Sequence, residues 1–288
     1  MNKVAIIGLS GESIFMHVKN FHKKGETIQA DSLHIEPGGK GYNQAIACTR
    51  FKSKVSYLSC VGNDVYGKYC EELMKKENIK TFYIYKEDKT PLATILTNDN
   101  GDNQITVYPG ANNCLSVKDL DRFYDEIKTS DVLLLQEEIP YEVMKQALIY
   151  AYNNNVYTIL NPAPSVYNIS ELLPYINLLI PNEIEAQAIF GSDFKEIEAK
   201  KLNVIITMGE KGIIIFDNGK RQEIPAVKTK VIDTTGAGDV FVSTVASFIK
   251  EKSLVECAIL GNKVASLHIT KPYVIDAIPN YEDIKKYL

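Results

Sequence analysis

Residues Val231 to Ile249 read VIDTTGAGDVFVSTVASFI: a β-branched run enters a turn of small residues, and an apolar helical pattern follows at once. At that turn Gly236, Ala237 and Gly238 carry little or no side chain, so the backbone N–H groups that open the helix stay uncovered. Unpaired donors and the positive end of the helix dipole attract an anion there. Asp239 follows directly. A carboxylate in the first turn of a helix is an ordinary cap, and a capped strand-to-helix turn accounts for the motif without any chemistry. An anion cradle beside a base is also what phosphoryl transfer to a hydroxyl requires. The choice between the two rests on the rest of the chain.

Outward from the turn, short apolar runs recur at Val4–Leu9, Val132–Gln136, Val156–Leu160, Ile176–Ile180, Val204–Met208 and Ile213–Phe216. Several are apolar at every position, as strands covered on both faces are, and helical patterns such as Tyr141–Asn154 lie between them. This predicts an α/β fold with a mostly parallel central sheet and helices on both faces. Two segments break the rhythm, Gly11–Pro37 and Thr90–Gly110; in the second, LATILT and QITVYP flank NDNGDN as the arms of a hairpin would. They predict a small separate sheet, inserted as segments 11–37 and 90–110 into one domain spanning 1–288. A small sheet hung over an α/β core is a natural lid, closing on substrate and excluding water.

The chain of 288 residues is 45% hydrophobic and 24% charged, ample for one full core. A formal net charge of −4, with no Lys/Arg run, leaves no basic footprint for nucleic acid. No segment approaches the roughly 18 apolar residues that a membrane span needs, so a cytoplasmic protein is expected. The cysteines Cys48, Cys60, Cys70, Cys114 and Cys257 form an odd set without a C-x-x-C pair, and His17, His22, His34 and His268 lack metal-ligand spacing. Buried thiols and surface imidazoles are expected, with neither disulfides nor structural zinc.

A second glycine cluster, EPGGKGYNQAIA, occupies Glu36–Ala47. It is no P-loop, because Gly41 stands where a Ser or Thr should follow Lys40, and by itself it reads as a helix-capping turn. The order of GGKGYNQA, LNPAP, LIPNEIEA, ITMGEKG and DTTGAGD along the chain resembles that of the ribokinase-like carbohydrate kinase family, over nearly the whole length. The resemblance implies that Asp239 is the catalytic base and that Gly236, Ala237 and Gly238 form the anion hole. It implies ATP and Mg²⁺, with Asn182 and Glu185 organising the phosphate and magnesium water network. Thr207, Gly209, Gly212 and Asn262 would line the nucleotide side, and Gly39, Lys40, Asn43 and Glu138 the sugar side. Asp233 matches a position that contacts a monovalent cation in many members, and relatives that pair through the small sheet leave a homodimer open.

Three departures stand out. Members of the family carry G-S-x-N-x-D after the first strand, where Asn and Asp hold sugar hydroxyls, whereas this chain has GLSGES, with Gly11 and Ser13 at those positions. Serine does not replace a charge-assisted clamp on two hydroxyls, so the acceptor need not be ribose. Near the C-terminus TKPYVIDA puts Tyr273 where a glycine is usual, so potassium activation does not follow from the resemblance. Only one short helix fits between Gly191 and Val204. The leading expectation is an ATP-dependent sugar kinase; a nucleoside kinase of the same family and a non-catalytic nucleotide- or sugar-binding sensor are the alternatives.

Overall fold

The computed structural model describes residues 2–100 and 102–288; Met1 and Gly101, the latter in the NDNGDN turn, lie outside them. The strands are β1 (Lys3–Ile7), β2 (Gly11–Val18), β3 (Ser32–Gly38), β4 (Lys54–Gly62), β5 (Lys80–Lys86), β6 (Leu92–Asn98), β7 (Asn103–Tyr108), β8 (Val132–Gln136), β9 (Tyr157–Asn161), β10 (Leu178–Leu179), β11 (Val204–Thr207), β12 (Ile213–Asp217) and β13 (Lys220–Ile224). Among the described residues nine of them form one sheet in the order β13-β12-β11-β10-β9-β8-β1-β4-β5, parallel from β5 through β11 and antiparallel at β12 and β13. The mostly parallel α/β architecture read from the apolar runs is the one that forms. β4 and β5 escape that reading, because serine, tyrosine and lysine interrupt their apolar positions.

Alternate side chains of the strands of this sheet, the exposed edge strand β13 excepted, feed two cores. In β1, Val4 and Ile6 join one cluster with the Lys40–Arg50, Ala237–Phe248 and Leu254–His268 helices, while Ala5 and Ile7 join the other with Tyr141–Asn153 and Glu183–Phe190. Covering both faces is what permits the uninterrupted apolar strands. The strand order reverses between β1 and β8, and the crevice beyond the carboxyl ends of such strands is where open α/β sheets bind ligands. Glycine lets a helix reach that crevice: a Cβ on Gly41 would lie 2.6 Å from Gly8 Cα and 2.8 Å from Gln136 Oε1. Gly41→Ala is therefore expected to cost about 1–3 kcal/mol of stability by overpacking, measured by urea unfolding; an unchanged midpoint would mean that this helix can ride up freely.

The remaining strands form a separate four-stranded sheet, β3-β2-β6-β7, with β2 and β6 parallel and the outer pairs antiparallel. It is tied to the C-terminal segment by Glu36 of β3, a buried carboxylate that accepts from Val274 N–H at 2.9 Å and Ile275 N–H at 3.2 Å. Phe15, Ile95 and Val274 pack together at this junction. All five cysteines are free, and Cys114, unlike the other four, is exposed. The expectation of surface imidazoles fails at His268, which is fully buried at the end of its helix.

Candidate active site

Gly236 is the N-cap of the Ala237–Phe248 helix at φ 78°, a left-handed conformation that glycine takes without strain. Of the three turn residues, Ala237 bends its N–H back to Thr234 O at 3.2 Å, and nothing among the described residues accepts from the N–H groups of Gly236 and Gly238. Those two open donors face a cavity of about 1000 Å³ that the turn helps to line. Asp239, 7% exposed, borders the same cavity. Its two oxygens are held by amides from one helix: Asn43 Nδ2 donates to Oδ2 at 2.9 Å and Gln44 Nε2 to Oδ1 at 3.0 Å. Burial pushes its carboxyl above the ordinary aspartate value, while Lys40 and the two amides pull it back. A carboxylate so placed is oriented and only partly solvated, which suits a base.

Lys40 shares this cavity and sits amid the charges of Asp239, Glu138 and Glu185, which raise its pKa and keep it a cation despite its burial. Asn182 and Glu185 hold each other in a capping box, with Asn182 Oδ1 accepting Glu185 N–H at 2.9 Å and Glu185 Oε2 accepting Asn182 N–H at 2.8 Å. Both residues also line the cavity, so capping and ligand contact are compatible here. Thr207, Gly209 and Gly212 border it from the end of β11 and the turn beyond, and Asn262 from the Leu254–His268 helix, where its Nδ2 donates to Pro225 O at 2.8 Å. Lys211 borders the cavity as well, with its ammonium paired to Glu183 at 3.2 Å.

Of the residues expected on the sugar side, Lys40 lines this cavity, whereas Gly39, Asn43, Glu138, Gly11 and Ser13 do not. Glu138 accepts the Lys40 N–H at 2.7 Å. The neighbouring Glu137 is occupied structurally, taking Val166 N–H and Tyr167 N–H at 2.9 and 3.0 Å, which separates the two carboxylates that adjoin in sequence. A Cβ on Gly39 would strike Leu9 O, and one on Gly38 would strike Ser13 Oγ, so Ser13 faces the glycine loop. Gly11 lies against Pro91, and burial, with the charge of Asp64, raises the pKa of the Glu12 carboxyl. Asp233 lies behind the turn, accepting Thr235 N–H at 2.8 Å and Tyr273 N–H at 3.0 Å.

Three residues of the polar network are absent from the sequence-based assignment. Gln44 links Asp239 to Asn161 Oδ1 at 3.1 Å and accepts from Gln136 Nε2 at 2.6 Å, and Asn161 donates to Ile180 O at 2.8 Å. Polar residues at the ends of apolar strands, and a glutamine inside a buried helix stripe, are the signals that could have found them.

Burial first, with Asp239 in support, pushes Glu138 up to about 7, against the pull of Lys40. A group raised in this way contributes stability that is complete below its ordinary value of 4.5 and lost as the pH rises through about 7. Glu138→Gln, neutral throughout, is expected to gain in Tm over the unsubstituted chain as the pH rises across that window. Thermal melts at its two ends check this; a constant difference would remove Glu138 as the titrating group.

A buried carboxylate set beside open helix N-terminal donors, at the carboxyl ends of a parallel sheet, fits an enzyme that moves a charged group onto a hydroxyl. Residues 1–280 match the pfkB family carbohydrate kinase model, and the chain belongs to that family. It is 33% identical over 306 residues to a ribokinase of Staphylococcus aureus, covering 99% of each chain, and 30% identical over 302 residues to a deoxyribokinase of Salmonella typhi, covering 99% of this chain and 98% of that one. Its fold is also that of an Arabidopsis thaliana ribokinase solved with ribose and ATP, with a TM-score of 0.87, 26% identity, and 99% and 98% of the two chains covered.

Proposed function

We propose that this carbohydrate kinase transfers the γ-phosphate of ATP to a hydroxyl of a ribose-like sugar. The observation that carries the reading is the buried Asp239 carboxylate, oriented by Asn43 and Gln44 beside the uncovered N–H groups of Gly236 and Gly238. Asp239 takes the proton of the acceptor hydroxyl as its oxygen attacks phosphorus, and the turn donors hold the charge that grows on the transferred group. Lys40 adds a cation on the phosphate side. Asn182, Thr207, Gly209, Gly212 and Asn262 hold the nucleotide, while Gly39, Asn43, Glu138, Gly11 and Ser13 border the acceptor. Mg²⁺, which keeps most of its waters, would be held by the buried carboxylate of Glu185 without a cage of several ligands; when bound it neutralises phosphate charge.

The named relatives act on ribose and deoxyribose, and Gly11 and Ser13 provide no carboxylate to clamp a vicinal diol. ADP release is measured with Mg-ATP and a panel of pentoses, 2-deoxyribose, hexoses and nucleosides. Stimulation by a sugar supports the reading. Stimulation by nucleosides alone shifts the acceptor class, and silence with nucleotide binding intact supports a sensor.

The small sheet acts in this reading as a lid, and the chain as a cytoplasmic enzyme with free thiols. Register places Leu33 and Ile35, 62% and 46% exposed, on one outward face with Ile14, Met16 and Leu96. A second copy of the chain covers that face in the proposed homodimer. Leu33→Lys is expected to halve the mass seen by light scattering; a monomer before substitution overturns the pairing.

A further inference from the structure

The imidazole of His268 is fully buried, and no step described above uses it. Its Nε2 lies 2.7 Å from Thr235 O. A carbonyl oxygen only accepts, so the proton is on Nε2, and Nδ1, also buried, has no partner among the described residues. Thr235 O belongs to the same planar peptide unit as the Gly236 N–H, and in a trans peptide the two point in opposite directions. Holding the carbonyl from below therefore aims the Gly236 N–H the other way. Contact is close: a Cβ on Gly236 would come within 3.2 Å of His268 Nε2.

The oxygens beneath the turn do not suit the monovalent cation that the position of Asp233 implies. Both Asp233 oxygens already face backbone N–H groups, from Thr235 and Tyr273, and Thr235 O faces the imidazole N–H. Proton donors directed at these oxygens oppose a cation approaching the same atoms. The loop is closed from within as well: Tyr273 takes φ 63° and stacks on His34 at 3.7 Å, which ties it to the small sheet.

We propose that His268 is the positioning residue of the anion hole, doing in this chain what a bound monovalent cation would do, so that the γ-phosphate is held equally well without potassium. The inference rests on reading the Gly236–Gly238 turn as the anion hole. It is tested without any acceptor sugar, so it can fail separately from the assignment of the substrate. Titration calorimetry compares Mg-ADP with the Mg complex of β,γ-imido-ATP, in KCl and in tetramethylammonium chloride at equal ionic strength. The unsubstituted chain is expected to bind the imido analogue with the same Kd in both salts. His268→Ala leaves the Thr235 carbonyl undirected and is expected to weaken the analogue about tenfold while ADP binding holds, with KCl restoring part of the loss. His268→Gln, whose amide keeps an N–H at the reach of Nε2, is expected to retain most of the affinity, which a merely space-filling role would not explain. Tighter analogue binding by the unsubstituted chain in KCl overturns the proposal, as does a folded His268→Ala protein with unchanged affinity. If His268→Ala does not fold, the salt comparison and His268→Gln still decide it.

Discussion

Asp239→Asn is expected to lower kcat by about 10²- to 10⁴-fold, the usual contribution of a positioned general base, with little change in the KM for ATP. Asparagine keeps the size of the side chain and removes the proton acceptor. It also sets an amide N–H₂ against one of the two amide donors, since Asn43 Nδ2 and Gln44 Nε2 each point at a separate oxygen of this side chain. The affinity for nucleotide, read by calorimetry, should survive, because the turn N–H groups and the walls at Thr207 and Asn262 do not depend on the carboxylate. Steady-state ADP release with the acceptor found in the panel checks the split. A variant that keeps a tenth or more of its turnover, on the same scale of effects, would remove Asp239 as the base and leave it an organiser of the helix start.

Gly236→Val carries the second large effect, through a different cause. At φ 78° a β-branched residue is strained by roughly 1–2 kcal/mol, and its Cβ would stand 2.7 Å from Val274 Cγ1. The turn must move to relieve the contact. Its donors then miss the charge that develops on the phosphoryl group, a displacement expected to cost about 10²- to 10³-fold in kcat by analogy with loss of one oxyanion donor. Gly238→Ala is the control for strain, because a Cβ there meets nothing within 4 Å and the backbone is not left-handed. That variant should melt where the unsubstituted chain does, whereas Gly236→Val melts lower. Equal melting of both variants would contradict the account of Gly236.

The two substitutions also mark how far local sequence carries. GAGD announces a helix start with open donors because the cause is local: small residues, a strand before, an apolar helix after. The doubly covered strands were legible for the same reason, since apolar runs such as Val132–Gln136 have few other places to go. β4 was not legible, because Ser56 and Ser59 are buried only through the layers above and below them. The family resemblance supplied site residues from seven separate segments, and the structure brings most of them to one cavity. It also separates neighbours that a motif cannot tell apart: Glu137 is consumed by Val166 and Tyr167, whereas Glu138 meets Lys40.

By itself, then, the sequence determined the α/β class, the helix start at Gly236–Asp239 and membership of a carbohydrate kinase family, because periodicity, turn chemistry and motif order are properties of contiguous residues. Only the tertiary structure decided that Gln44, Gln136 and Asn161 support Asp239, that each Asp233 oxygen accepts a backbone N–H, from Thr235 and Tyr273, and that His268 lies buried under Thr235 O. Apart from Asp233 and Thr235, those partners are separated by tens to hundreds of positions along the chain. A buried polar group shows its role only through the donor or acceptor that folding sets against it.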